Sequence, residues 1–590
     1  MTFKSDYQSE LAFLRALAHD FAQDDPRLAQ FLDNESGDES IERLFEGFAF
    51  LTTQLRRKLD DDLPETTHPL LQVLWPNYLR PVPSLTLVRF EPIAKAISER
   101  QPIAKGTRLF SSQVEGVSCE FRTCTQVAIH PLQLTAVTTE HRPDSSILRI
   151  ELQSLTELAL KHSGCDNFSV QLIGEPIAAQ TLYLWLSQHL RRISIVINDK
   201  ILSLPPNIID FPGFTPEEAL LPSPRAELDG YRLLQEYFHF PQRFWAFRLN
   251  ELAAYLPDYP TEQVSFQFTF HKPLPAGCDL RLEDLALYCT PAINQFQHTV
   301  DATPLDGQDS SMLLQPPGVN QTPGEVFCVD RVSACRYEND QGQTKKQWLY
   351  DLQPFESLDH PAALAEEEAR PYYQEVVELI PSKDQSQRIL RLLQRDGKAW
   401  RGNREVLSIE MTCTHGQLPS QLGIGEIDRP SQSTPAFANF SNITRPTQSL
   451  PPLLDGQLHW QLLSNLSLNS LSLNCAEGLR AVLASYDFAG LTDLPKQRAT
   501  RARLQAIEQA DTRPLDWLFK GVPVRGLNTT LRVDPSPFDS DGELYLFGSV
   551  LSYFFTLYAS PQSFHKLDII NTRSNEHYSW PARVGRQVTL

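Results

Sequence analysis

The sequence predicts an α+β protein: an N-terminal helical bundle segment, a β-rich, sandwich-like middle and a mixed α/β C-terminal part. Three observations carry this expectation. Apolar residues recur at helical spacing over the first sixty positions, the period drops to two from residue 85, and after about residue 360 short strands alternate with helical stretches. At 590 residues the chain exceeds what one hydrophobic core holds. The expected division is 1–84, 85–360 and 361–590.

The helices come first. Phe3, Tyr7, Leu11, Leu14, Leu17 and Phe21 follow one another at steps of three or four, which places them on one helix face over about 6–23. Ser5 and Gln8 fit a capping box at its start, and Pro26 follows its end. Ile41, Leu44, Phe48, Leu51, Leu55 and Leu59 repeat the pattern over about 40–60. Glu39, Glu42 and Glu46 sit near the start of this second helix, and Arg56, Arg57 and Lys58 near its end, an order that complements the helix dipole. A third, short helix over about 66–75 carries Leu70, Leu71, Val73, Leu74 and Trp75, and Pro76, Pro81 and Pro83 stop it.

Strands follow at 84–90, 193–197 and 264–270. In the last, Val264, Phe266, Phe268 and Phe270 alternate with Ser265, Gln267 and Thr269, as a half-buried strand requires. The proline-rich stretch 204–224 reads as a long ordered loop, 301–325 as a surface loop and 339–346 as a hairpin turn. The stretch from Tyr231 to Phe240, followed by Phe244, Trp245 and Phe247, is dense in aromatics. A strand over 404–413 and helices over about 457–465, 475–485 and 500–509 come next. The last unit, from Val524, reads as strands 529–533, 544–546 and 566–570 around a helix at about 548–558.

Composition excludes several classes of function. Apolar residues make up 41% and charged residues 21%, a globular balance. The net charge of −19 argues against general nucleic-acid binding, which needs a basic face, and against adsorption to an anionic membrane, although a local basic patch fits within an acidic whole. The nine cysteines are scattered without a CxxC pair, so reduced thiols are expected. No apolar leader opens the chain and no stretch approaches 18 uncharged apolar residues, so the expected location is cytoplasmic.

Catalytic signatures are missing from the sequence. GxSxG, GxxxxGK[ST], GxGxxG and HExxH do not occur. The pairs Cys119/Cys124 and Cys328/Cys335 lack the further ligands that structural zinc needs. The carboxylate runs Asp60–Asp62 and Glu366–Glu368 read as solvated charge rather than as a glycosidase pair. The expectation is a non-enzyme with no catalytic residue, cofactor or metal. The alternative is an intracellular carbohydrate-binding or carbohydrate-active β-sandwich protein, which would show exposed aromatics in a cleft with two convergent acids.

The N-terminal stripes lead elsewhere. In residues 1–84 acidic side chains outnumber basic ones by nearly two to one, so the outer helix faces are well solvated while the apolar stripes need cover. Phe3, Tyr7, Leu11, Leu14, Leu17, Phe21, Ile41, Leu44, Phe48, Leu51 and Leu55 are therefore the expected partner-binding residues, docking on another subunit's helices.

Several segments also resemble a known family when taken together and in order. They are Tyr7-Gln-Ser-Glu-Leu-Ala-Phe-Leu-Arg15, Ile41-Glu-Arg-Leu-Phe-Glu-Gly-Phe-Ala-Phe-Leu51, Leu74-Trp-Pro-Asn-Tyr-Leu-Arg-Pro81, Gly230-Tyr-Arg-Leu-Leu-Gln-Glu-Tyr-Phe238 and Cys289-Thr-Pro-Ala-Ile-Asn294. Val329-Asp-Arg-Val332, Thr444-Arg-Pro-Thr447, Leu462-Leu-Ser-Asn-Leu-Ser-Leu-Asn469, Leu546-Phe-Gly-Ser-Val-Leu551 and Tyr558-Ala-Ser560 continue the set. The whole is similar to the TssF (VasA, ImpG) family of type VI secretion baseplate subunits, with Asn465 where a histidine is common and Gln461 where an arginine is common. The resemblance implies a structural wedge protein of a phage-like contractile injection system. It implies two copies assembling with one TssG, contacts to TssK, TssE, the VgrG spike hub and neighbouring wedges, and recruitment from the cytoplasm to an inner-membrane-anchored complex.

Overall fold

Period-two sequence becomes sheet through most of the body. The computed structural model describes residues 7, 11–12, 43–44, 46–53, 64–198, 200–222, 229–275, 277–301, 311–316, 324–340, 343–355, 370–380, 385–394, 397–400, 406–467, 475–519 and 522–586. Strand Leu85–Pro92 pairs antiparallel with Cys289–Ile293 on one side and Ala438–Asn442 on the other, so Arg89 stands opposite both Cys289 and Ser441. Val117–Thr123 and Arg108–Val114 complete this five-stranded sheet. A second five-stranded sheet has the order Lys200–Leu204, Leu190–Ile197, Gln263–Phe270, Ser145–Ser154, Leu132–Arg142. Along Gln263–Phe270 the side chains of Val264, Phe266, Phe268 and Phe270 are buried and the intervening polar residues half-buried, as the alternation requires.

Between the strands ending at Ile293 and starting at Ala438 the chain makes an excursion with its own core. Phe296–Asp301, Val406–Thr414, Glu325–Asp340 and Gln343–Leu352 form one sheet, and Ser311–Leu314, Gln385–Leu393 and Tyr372–Ile380 another. Leu314, Val329, Val332, Leu390, Ile409 and Met411 pack together there, apart from the main core. The expected hairpin is present, with Asp340 opposite Gln343. The expected surface loop at 301–325 contains a strand, Ser311–Leu314, paired to Gln385–Leu393.

Residues 43–44 and 46–53 are helical, and after them come α1 (Pro64–Leu74), α2 (Pro176–Leu184), α3 (Asp229–His239), α4 (Gly456–Ser467), α5 (Ala476–Ala484), α6 (Phe488–Thr492), α7 (Leu494–Gln505) and α8 (Asp541–Phe554). The aromatic stretch from Tyr231 is the buried helix α3. The helix expected at 500–509 is α7, and Ile507 already begins a strand.

One assignment changes type. Leu544–Leu546, expected as a strand, lies inside α8, which Ser540 caps by accepting from the Glu543 N–H at 3.1 Å. Almost every residue of α8 is buried. A helix covered all round has no polar face, so its apolar run carries no helical period to distinguish it from a core strand. α8 crosses between the parallel strands Val522–Val533 and Phe564–Asn571 and packs on α2 and α3. Gly548 permits this seat: a methyl group there would overlap the indole of Trp580.

Candidate partner-docking site

The second N-terminal helix shows its stripe where it is described. Leu44, Phe48 and Leu51 share one face and are 66%, 59% and 56% exposed. The opposite face turns inward, with Ala49 and Thr53 buried and the Thr53 hydroxyl donating to the Ala49 carbonyl at 2.7 Å. The helix thus seats its small residues on its own chain and leaves its large apolar residues outward. An ordinary surface helix does the reverse. Tyr7 and Leu11 are helical and half-buried. Phe3, Leu14, Leu17, Phe21, Ile41 and Leu55 lie outside the described residues, as do Asp60–Asp62 and Glu366–Glu368.

α1 ties the start of the body to the C-terminal part. α1 packs on α4, where the rings of His68 and His459 meet edge to face at 5.1 Å. His459 Nε2 lies 2.7 Å from the Leu453 carbonyl, and both imidazoles are held below their ordinary pKa, His68 at about 4, chiefly by burial. Pro69 and Pro76 do not break the contact: Trp75 and Leu71 are buried, and the turn Pro76–Leu79 drops Tyr78 into the core.

Four of the segments singled out in the sequence converge at that point. Tyr78 lies 6.1 Å from Tyr486 and 5.8 Å from Phe488. Tyr486 stacks on Tyr231 at 4.9 Å. The Tyr231 hydroxyl donates to the Asn465 carbonyl at 3.1 Å and meets the Tyr558 hydroxyl at 2.9 Å, while the Asn465 amide donates to Ser485 at 2.9 Å. Burial pushes the phenols of Tyr78, Tyr486 and Tyr558 far above their ordinary range and Tyr231 up to about 12, so all are neutral donors or acceptors at any physiological pH.

One helix turn away, α3 carries a buried ionic cluster. Arg232 pairs with Asp229 at 2.6 Å and Glu236 at 2.8 Å, and Arg243 also pairs with Glu236. Glu236 accepts in addition from the Leu220 and Leu221 N–H groups at 2.9 and 3.3 Å. The cluster therefore pins the end of the expected loop 204–224 to α3. Burial, then the neighbouring Arg232, lowers Arg243 to about 9. A further buried cation, Arg388, fastens the second core to the turn before strand Leu85–Pro92. It donates to the carbonyls of Leu79 at 2.7 Å and Val326 at 2.8 Å and pairs with Glu375 at 2.9 Å.

None of these anchors was singled out as such in the sequence. Tyr78, Tyr231, Arg232, Glu236, Asn465 and Tyr558 fell within the quoted motifs and Arg388 did not, and the charged ones look like surface residues until the fold brings their partners in.

No group of three or more His, Cys, Asp or Glu suited to a metal occurs among the described residues. All nine cysteines are unbridged, and burial pushes Cys119 to about 11 and Cys124 to about 12, which suits inert core thiols. An apolar cavity lined by Leu132, Leu160, Cys165, Phe168 and Phe266 holds no convergent polar groups. Among the described residues no helix is long and apolar enough to cross a membrane.

The family model described as "Type VI secretion system, TssF" matches residues 1–587. The chain is 28% identical over 628 aligned positions, covering 99% of both chains, to the type VI secretion system component TssF1 of Pseudomonas aeruginosa. Among solved structures it is similar to a chain of the type VI secretion TssK-TssF-TssG baseplate subcomplex seen by cryo-electron microscopy. That match has a TM-score of 0.75 and 27% identity and covers 92% of this chain and 99% of the other. A chain from the baseplate complex of the type VI secretion system matches over 100% of both chains, with a TM-score of 0.67 and 25% identity.

Proposed function

This chain belongs to the TssF family of type VI secretion proteins, and from that premise we propose that it holds its baseplate neighbours through the outward apolar stripe of its N-terminal helices. It is a structural subunit of the type VI secretion baseplate. Two copies assemble with one TssG, and the residues that bind are those of the two stripes, from Phe3 to Phe21 and from Ile41 to Leu55. TssK docks on the same wedge, as the subcomplex containing the TssF relative suggests. TssE, the VgrG hub and neighbouring wedges complete the assembly on the cytoplasmic side of the inner membrane. The role is non-enzymatic: the chain positions other subunits, and the sheet-rich body acts as a stiff spacer whose rigid-body rotation accompanies baseplate opening.

The observation that carries this reading is the inverted helix seen at 43–44 and 46–53, with Ala49 and Thr53 inside and Leu44, Phe48 and Leu51 outside. Burying a large apolar side chain is worth ~1.5–3 kcal/mol. Replacing two of them by a charge, as in Leu44→Asp/Phe48→Asp, should therefore weaken capture of TssG by about a hundredfold or more. Co-expression and sizing read the loss directly. The melting temperature of the isolated chain should stay unchanged, because these side chains are already exposed in it. Full retention of TssG by the double variant would refute the stripe as the docking site.

A further inference from the structure

The chain passes from the main core to the second core after Ile293 and returns after Thr414. The two crossings meet in one pair of side chains. Asn294, on the way out, is fully buried. Its backbone N–H donates to the Ser84 carbonyl at 2.9 Å, and its side-chain amide reaches the returning strand. There Oδ1 accepts from the His415 backbone N–H at 2.8 Å. Nδ2 donates to the Glu120 carbonyl at 2.8 Å and lies 3.0 Å from His415 Nδ1. The Phe296 ring lies against the same imidazole, with centroids 4.4 Å apart.

These contacts by themselves fix the protonation state of His415. A backbone N–H only donates and a backbone carbonyl only accepts, so the Asn294 amide has a single orientation. Nδ2 therefore donates to Nδ1, and Nδ1 carries no proton. A proton there would set two donors face to face. Turning the amide over satisfies the ring, but it places Nδ2 against the His415 N–H and Oδ1 against the Glu120 carbonyl, and two buried hydrogen bonds are lost instead. We propose that Asn294 and His415 form a proton-sensitive latch at the neck of the second lobe, closed while the imidazole is neutral and released when it takes up a proton.

The ionisable groups nearest in register along the strands at the neck are His298, Cys413, the Glu120–Arg122 pair at 3.3 Å, and Glu325, which stands opposite Thr414 within the field of Arg388. Burial, rather than any of these charges, lowers the His415 imidazole from 6.5 to about 4. An opened neck returns the ring to its ordinary value, so the open form binds a proton that the closed form refuses. Opening therefore gains ground as pH falls from about 6.5 towards 4. Arg388 still holds the Leu79 carbonyl, so release loosens the lobe without detaching it.

Amide exchange of the full chain, followed by mass spectrometry at about pH 7.5 and about pH 5 and corrected for the intrinsic rate, tests the latch. Peptides covering 294–301 and 406–416 should lose about thirtyfold in protection at the lower pH. His415→Gln, which takes up no proton, should keep the protection of these peptides constant, while α1 with its own buried His68 responds alike in both proteins. Hydrogen exchange at the imidazole Cε1 of the unsubstituted chain reads the ring's own titration, and should place it near 4, whether or not the variant folds. Neck peptides equally protected at both pH values, a His415→Gln neck that still loosens in acid, or a ring that titrates at its ordinary value would each overturn the proposal.

Discussion

Glu236 has no solvent exposure and holds two arginines and two backbone N–H groups at once. Such a buried pair is weak evidence of net stabilisation, because desolvation offsets much of the attraction, but breaking it strands its partners. Glu236→Ala should therefore cost about 3–5 kcal/mol of unfolding free energy, seen as a lower midpoint in urea, and should loosen residues 213–222 first. The His68/His459 contact makes a different prediction. Both imidazoles titrate below their unfolded value, so the unfolded chain takes up protons that the folded one refuses, and stability falls as pH drops from about 6.5 towards 4. Amide exchange in α1 should accelerate across that window, and His68→Leu should flatten the response. The His68/His459 contact could not be read from local sequence, because the two rings come from segments far apart in the chain, and the Glu236 cluster needed the turn that brings Arg243 and the Leu220 and Leu221 N–H groups onto α3.

Elements were legible where one face is wet. The Gln263–Phe270 strand, α4, α5 and the exposed helix at 46–53 all carry a two-sided pattern, and each lies close to where the sequence places it. α8 was not legible, for it is covered on every side by α2, α3 and the C-terminal sheet. Its Gly548 gives a test at this scale. Helix propensity alone favours Gly548→Ala by ~1 kcal/mol, whereas the Trp580 indole leaves no room for the methyl group. Overpacking costs ~1–3 kcal/mol, so a net loss of melting temperature is expected, and Gly548→Ala combined with Trp580→Phe should recover part of it.

The molecule has two cores, and Arg388 bridges them through carbonyls on both sides. Arg388→Ala leaves the Leu79 and Val326 carbonyls without this donor and Glu375 without its cation. The expected result is that residues 296–414 exchange amide protons at a lower free energy than the main core and unfold as a separate step. A single unchanged transition in calorimetry would show that the lobe is held by other contacts. A stiff joint here suits the spacer role proposed above, since a lobe that swings freely cannot set a spacing.

Sequence alone determined that this chain is a mixed helical and sheet protein, that apolar residues recur at helical spacing over its first sixty positions, and which family its ordered motifs resemble. Those properties follow from periodicity and local chemistry, which a linear string preserves. Only the tertiary structure decided that Ala49 and Thr53 turn inward while Leu44, Phe48 and Leu51 turn outward, and that four distant motifs meet around Tyr231. Burial and charge pairing depend on which segments the fold brings within a few ångströms, and no local pattern encodes that distance.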